Sequence, residues 1–180
     1  GKLKPAADFT PEEIEALASV DVLRRPEYDV KTVGVGGKRI IGSHGVEITA
    51  DITEAEVTTD DMELVLLPGG MPGTLNLEKS PIVQASLDYC VREGKYIAAI
   101  CAAPSILGHR GDLEGKEAIF VPGFEDQLRG ARISLSPVCV DGKIITGKGP
   151  GVTIEFALQI VEQLSGKALA ERIRAGMQCR

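Results

Sequence analysis

Cys101 stands in the run Ala98-Ala99-Ile100-Cys101-Ala102-Ala103-Pro104, where an apolar stretch breaks into something new. Upstream, KYIAAI reads as a short buried strand; downstream, AAPSILG reads as the first turns of a helix. A strand that turns sharply into a helix projects its corner side chain out of the sheet, and the small neighbours let the backbone bend without clashing. The helix behind it aims free N–H groups and the positive end of its dipole at the sulfur, which favours thiolate over thiol. Free cysteine is also among the most buried residue types and packs like a small apolar group. This stretch alone leaves a nucleophile and a core residue both open.

A catalytic thiol needs an acid or a base beside it, usually histidine. His109 lies eight residues beyond Cys101 in the same helical segment, roughly 12 Å along the axis, which is out of reach and reads as a solvated helix position. His44, in the GSHGV turn, reaches a pocket only through a tertiary contact or from a second subunit. Carboxylates are the alternative. Glu12, Glu13 and Glu15 cluster in the first turns of the first helix, which in a doubly wound sheet lies at the carboxyl edge where the Cys101 corner emerges. Glu15, between Ile14, Ala16 and Leu17, is the one expected to be buried, which would raise its pKa and leave a protonated carboxyl near the thiol. The plainer reading is that all three favour the helix dipole. Pro68-Gly69-Gly70 ends another apolar strand, and the Gly70 and Ala102 N–H groups are placed to bind a developing oxyanion. Gly147-Lys148-Gly149-Pro150-Gly151 before a helix resembles an anion cradle, without Walker or G-x-G-x-x-G spacing, and Gly34 to Gly37 is more simply a turn.

The elements that must position these groups alternate between strand-like and helix-like segments, as in an α/β domain with a largely parallel sheet covered on both faces. Thr10 as N-cap, Pro11 at the first helical position and Glu13 closing a capping box predict a helix from there to about Arg25. YDVKTVGV, short pieces of RIIGSHGVEITAD, MELVLLPGG and the segment leading to Cys101 read as strands, as do two around an Asp141-Gly142 turn. Ser80-Pro81 opens a helix that stops at Gly94; TIEFALQIVEQLSG is amphipathic and ends at Gly166; KALAERIRAGM is a last helix. The start, KLKPAADF, fits a first strand poorly because it carries Pro5 and two lysines.

With 180 residues, 43% hydrophobic and 26% charged, the chain reads as one soluble domain spanning 1–180. A net charge of -6 with no basic block argues against nucleic acid or an anionic membrane as partner. The longest weakly polar run, Ile97 to Gly108, contains Pro104 and is too short to span a bilayer, and GKLKPAADF has no apolar leader core. A cytoplasmic protein with a small-molecule or protein partner is expected. Cys90, Cys101, Cys139 and Cys179 are widely spaced and only two histidines are present, so neither a zinc site nor a disulfide framework is expected.

Taken together, EEIEAL, VDVLRR, LLPGGMPGTLNL, AAICAAPSILG and TGKGPG followed by EFAL resemble the ThiJ/PfpI superfamily, in the order and spacing of its Parkinson-disease-protein-like branch. The resemblance covers nearly the whole chain from about residue 10. It implies a flavodoxin-like three-layer α/β sandwich with a mostly parallel sheet, usually a homodimer, and no cofactor or metal. Members are described as glyoxalase III, protein deglycase, redox sensor or chaperone, so the implied substrates are small 2-oxoaldehydes such as methylglyoxal or glycated proteins. By position, Cys101 matches the family's elbow nucleophile, Glu15 its hydrogen-bonded acid, and Gly70 with Ala102 its oxyanion donors; Gly69, Lys148, Gly149 and Pro150 fall around the pocket. Two departures stand out. Val121-Pro122 replaces the histidine-proline pair of many members, which removes an auxiliary imidazole. Ala102 follows the cysteine where the protease-like branch has histidine, and no His-x-Glu of the amidotransferase kind occurs late in the chain; neither protease nor amidotransferase chemistry is expected.

Overall fold

The computed structural model describes residues 10–180; the Pro5-containing segment expected to be a poor first strand lies outside the described residues. The centre is a four-stranded sheet in the order β5 (Leu64–Leu67), β6 (Tyr96–Ile100), β10 (Ile144–Gly147), β9 (Val138–Asp141). β5, β6 and β10 run parallel, and β9 pairs antiparallel with β10 across the Asp141-Gly142 turn. The alternation of β6 explains the layers. Ile97 and Ala99 face a cluster with Leu77, Leu87, Ile106 and Leu107, while Ala98 and Ile100 face another with Val22, Phe156, Ile160 and Val161. A strand buried on both faces must be apolar at every position, and burial of each isoleucine contributes about 1.5–3 kcal/mol.

Helices α2 (Gly73–Lys79), α3 (Pro81–Glu93) and α4 (Pro104–Arg110) cover the first face; α1 (Glu13–Arg24), α5 (Thr153–Ser165) and α6 (Lys167–Gly176) cover the second. Ser80 caps α3 and left-handed Gly94 ends it, as the sequence predicts. The register pairs Leu67 with Ala99 and Ile100 with Gly147. The carboxyl ends of three strands, followed by Gly69-Gly70, Cys101 and Lys148, therefore meet at one sheet edge.

Three expectations change. α1 starts at Glu13 rather than Pro11, because residues 11 and 12 bond across the fold instead: the Glu12 N–H donates to the Gly69 carbonyl (2.9 Å) and the Pro11 carbonyl accepts from the Ser43 N–H (2.9 Å). Glu12 is the true cap, its side chain accepting from the Glu15 N–H. The strand expected over YDVKTVGV shrinks to β1 (Val33–Gly34), paired in parallel with β4 (Ile52–Thr53). Ahead of it Thr32 and Asp51 bond each other's backbone through their side chains, replacing the ladder. α2 was not foreseen, since GTLNLEK is short and opens on glycine. The remaining short pairs are the hairpin β2 (Arg39–Ile41) with β3 (Glu47–Thr49), and parallel β7 (Glu117–Ala118) with β8 (Arg132–Ile133). Among the described residues no helix is long and apolar enough to cross a membrane.

Candidate active site

Cys101 follows the last residue of β6 and precedes α4, with a backbone φ of 63°. A non-glycine residue in this left-handed region costs about 1–2 kcal/mol, so the surroundings must hold it. They do so on both sides: the Cys101 N–H donates to the Gly147 carbonyl (2.8 Å), and its carbonyl accepts from the Val121 N–H (3.1 Å). The four neighbouring alanines are buried, while Cys101 itself is only partly covered. Cys90 and Cys139 are buried in the core; the Cys139 thiol donates to the Glu117 carbonyl.

The turn after β5 presses on this corner. A Cβ added to Gly69 would lie 2.8 Å from the Cys101 Cβ and 2.7 Å from the Ile100 carbonyl oxygen, so only glycine fits without a shift. Gly70 has φ 98°, and a Cβ there would stand 2.6 Å from the Glu12 nitrogen. The Gly69-Gly70 turn is thus wedged between Cys101 and the start of α1. Of the third segment, Gly147 touches the site through its carbonyl and Lys148 is exposed, its N–H donating to the Pro137 carbonyl. Gly149 is extended, with open space where a Cβ would be, so its backbone lacks the left-handed turn of an anion cradle. Position 121 does stand beside the cysteine, through the backbone, but offers no imidazole.

Glu15 has no exposed surface, and neither of its carboxyl oxygens has a hydrogen-bond partner among the described residues. The hydrogen bond from this acid to the sulfur, implied by the family resemblance, is accordingly not formed here. Burial, and after it the charge of Glu12, pushes the Glu15 carboxyl up to about 8. Burial also pushes the Cys101 thiol up to about 12, helped by the charges of Glu15 and Glu12 and opposed by the Ala102 N–H. The helix-end electrostatics expected to favour thiolate are outweighed: α4 begins only at Pro104, and burial dominates. Both groups hold their protons near neutrality. Taken together these influences have the carboxyl ionise before the thiol, as the isolated groups do; the Ala102 N–H lowers the thiol without reversing that order. The Glu15 charge is among the causes that raise the thiol, so a neutral Glu15 removes that opposition.

Glu12 and Glu13 do more than favour a dipole. Glu13 accepts from the His44 N–H (3.0 and 2.9 Å) and the Val46 N–H (3.2 Å), tying the β2–β3 turn to α1. Burial works against its charge, yet those amides outweigh it and hold the carboxyl below the usual range. The His44 Nδ1 lies 3.3 Å from Glu13 Oε1 and 3.6 Å from Glu12 Oε1. These three residues bring potential ligand atoms within 4.8 Å of one another, a cluster that sequence spacing does not reveal. Backbone N–H groups already engage both Glu13 oxygens and one Glu12 oxygen. His109 is not a free solvated residue either: its Nδ1 stands 2.5 Å from Glu78 Oε1 and its Nε2 2.6 Å from Gln127 Oε1. A shallow depression over Leu17, Val20, Asp21, Arg24 and Arg25 lies on the outer face of α1 and does not include Cys101.

Known proteins resemble this chain over most of its length. The DJ-1/PfpI family model matches residues 7–163. Protein DJ-1 homolog A of Arabidopsis thaliana is 38% identical over 175 residues, covering 95% of this chain; the chain spans only 44% of that relative's length. Glutathione-independent glyoxalase DJR-1.2 of Caenorhabditis elegans is 32% identical over 156 residues, covering 86% of this chain and 83% of that protein. The solved structure of oxidized Toxoplasma gondii DJ-1 superposes with a TM-score of 0.91 at 36% identity, over 95% of this chain and 94% of that one. With matches that run through the sheet, both helical layers and the Cys101 corner, the chain belongs to the DJ-1/PfpI family and has its flavodoxin-like α/β fold.

Proposed function

We propose that this protein is a cofactor-independent, cysteine-dependent enzyme acting on reactive 2-oxoaldehydes such as methylglyoxal, or on their protein adducts. One observation carries the reading: a partly exposed cysteine is held at φ 63° at a strand end, a nucleophile elbow, beside a fully buried carboxyl with no hydrogen-bond partner among the described residues. A strained backbone residue and an unpartnered buried acid are each costly, and their coincidence at one sheet edge is what a catalytic pair requires. A similar protein named as a glutathione-independent glyoxalase supports the substrate class.

The reacting form is the minor one in which the sulfur has given up its proton while Glu15 keeps its own, and it is drawn off as the C–S bond forms. The thiolate attacks the aldehyde carbon, forming the C–S bond of a hemithioacetal, and the carbonyl oxygen takes up a proton. The developing oxyanion faces the Gly70 and Ala102 N–H groups. Glu15 supplies that proton, and the carboxylate so formed then takes the proton from the former aldehyde carbon and returns it to the adjacent carbon through an enediol, converting the hemithioacetal into a thioester of the 2-hydroxy acid. Water cleaves that thioester, releasing lactate from methylglyoxal and restoring the thiol. The net reaction adds one water and needs no external oxidant or reductant. Gly69 lets the turn approach, and Lys148, Gly149 and Pro150 form the far rim.

The test is lactate formation from methylglyoxal in the absence of glutathione. Wild type should turn over and Cys101→Ser should not; equal rates would sink the mechanism. The same reading includes a homodimer, supported by Ile14 and Leu17, which stand exposed on α1, and is checked by light scattering across a dilution series.

A second reading, a redox-responsive or holdase-like protein, is favoured by the partial exposure of Cys101 against the burial of Cys90 and Cys139, and by a similar protein solved in an oxidized form. An accessible, ionisable thiol is the one that oxidises selectively. Mild peroxide and peptide mapping should then place sulfinic acid on Cys101; oxidation spread evenly over the four cysteines would exclude the sensor.

A further inference from the structure

Three segments pass the Cys101 corner, and one side chain joins them again further on. The Gly69-Gly70 turn runs into α2, which carries Glu78; Cys101 runs into α4, which carries His109; and Val121, whose N–H donates to the Cys101 carbonyl, opens the stretch that reaches Gln127. The His109 ring stands between the other two, its Nδ1 2.5 Å from Glu78 Oε1 and its Nε2 2.6 Å from Gln127 Oε1. The residue before it makes the approach possible, since a Cβ on Gly108 would strike the Gln127 carbonyl oxygen and stand 3.0 Å from the Leu128 Cα. Between its two fastened ends the stretch is exposed from Pro122 to Asp126. Within it the Gly123 N–H donates to the Glu125 carboxylate, and the Phe124 ring packs edge-on against Phe120.

We propose that His109 is a positioning residue of the Cys101 site: by clasping Glu78 and Gln127 its ring holds the Val121–Gln127 stretch in place, and with it the amide that secures the left-handed Cys101 backbone. The inference rests on the reading of Cys101 as the reactive thiol. Both ring nitrogens face oxygen acceptors. An imidazolium donates from both, whereas a neutral ring donates from one and presents a lone pair at the other. Turning the Gln127 amide round would remove that conflict, but its Nε2 donates to the Asp126 carboxylate (3.3 Å). The clasp is therefore whole only on a charged ring, and a neutral one keeps its proton for the charged acceptor, Glu78, and releases Gln127. The hydrogen bond to Gln127, and after it that to Glu78, raises the imidazole pKa, so the clasp is whole in acid and loses its Gln127 arm as pH rises through the raised value. The charged groups that act on the ring are Glu78 from α2, which favours its charge, and Arg129 from beyond Gln127, which opposes it; Arg110, next on α4, is paired with Asp88 and Asp112.

The experiment compares wild type, His109→Leu and Gln127→Ala at about pH 6 and about pH 9, on either side of the imidazole range, with circular dichroism checking that each is folded. Hydrogen exchange of the Val121, Gln127 and Leu128 N–H groups is followed by mass spectrometry of the peptide that carries them, and kcat and KM for lactate formation from methylglyoxal are measured on the same samples. In acid both variants should exchange those amides about two- to tenfold faster than wild type, the weight of one net hydrogen bond. Their kcat should fall within the same range while KM moves less, because the loss is one of positioning and not of binding. In base the wild type has lost the Gln127 arm too, so all three proteins should exchange and turn over alike. Exchange in acid as fast in wild type as in the variants would overturn the clasp, and faster exchange with kcat unchanged would overturn its action on Cys101. A deficit undiminished in base would overturn the part played by the charge of the ring. Lactate absent from the wild type, or formed equally by Cys101→Ser, would instead refute the reactive-thiol reading on which the proposal rests.

Discussion

Replacing Glu15 by Gln keeps the shape of the side chain and removes its proton chemistry, and the structure fixes what should follow. In the fold this carboxyl has its pKa raised from 4.5 to about 8, and the group is completely buried. A raised carboxylate pKa opposes folding once the unfolded chain has ionised. The cost is absent below about pH 4.5, grows as pH rises, and levels off above about 8, because between those values the native state holds a proton that the unfolded state has lost. At about 1.4 kcal/mol per pH unit, the penalty reaches ~3 kcal/mol at pH 7. Gln carries no such titration, so Glu15→Gln should gain on wild type by roughly that amount between pH 4.5 and pH 7. Urea unfolding of both proteins at several pH values measures the difference. At the same time the variant should lose turnover by ~10²- to 10⁴-fold, the usual range for an acid–base group. A protein that becomes relatively more stable as it becomes inactive is the expected signature. A stability difference that stays flat with pH would refute the assignment of Glu15 as the buried, proton-holding acid, whatever the activity did.

Two further outcomes follow from the packing around the site. Gly69→Ala places a Cβ 2.7 Å from the Ile100 carbonyl oxygen and 2.8 Å from the Cys101 Cβ, so it should destabilise by about 1–3 kcal/mol and displace the Gly70 N–H, lowering lactate formation more than methylglyoxal binding; unchanged kinetics would show that the turn does not position a donor. His109 has its pKa raised by its hydrogen bonds to Gln127 and then Glu78, so it stabilises the fold below its unfolded pKa and that contribution is lost as pH rises through the folded one. His109→Gln should therefore lower Tm more at pH 6 than at pH 8.5, and the reverse order would contradict a charged bridge between α2, α4 and the Gln127 turn.

Much of this was readable in the residues. The four alanines around Cys101, the two-faced apolar pattern of β6 and the glycines after β5 each follow from one local requirement, so the sheet edge and its corner cysteine could be foreseen. Glu15 was singled out by its apolar flanks, yet Ile14 and Leu17 are exposed and Glu12 and Glu13 are buried too; what sets Glu15 apart is complete burial without a hydrogen-bond partner among the described residues. What stayed hidden depends on contacts between distant segments. Glu13 fastens a turn 30 residues away and Glu12 caps the helix that Thr10 was expected to cap; no local pattern separates those roles from a simple preference of acids for helix N-termini. The same holds for His109, which spacing correctly removes from Cys101 but cannot pair with Glu78 and Gln127. The thiol's protonation was misjudged for an energetic reason: a dipole is visible in a sequence, whereas the burial that outweighs it is not.

Whether Cys101 carries the chemistry is answered most directly by watching it during turnover. The chain is mixed with methylglyoxal without glutathione, quenched with acid at intervals, and the cysteine peptides are weighed while lactate is measured in the same samples. Cys101 should gain the mass of one methylglyoxal, in a form that builds before lactate appears and decays as substrate is consumed, with Cys90 and Cys139 unmodified and Cys101→Ser producing neither adduct nor lactate. Lactate accumulating at the full rate over an unmodified Cys101, or from Cys101→Ser, would contradict the account.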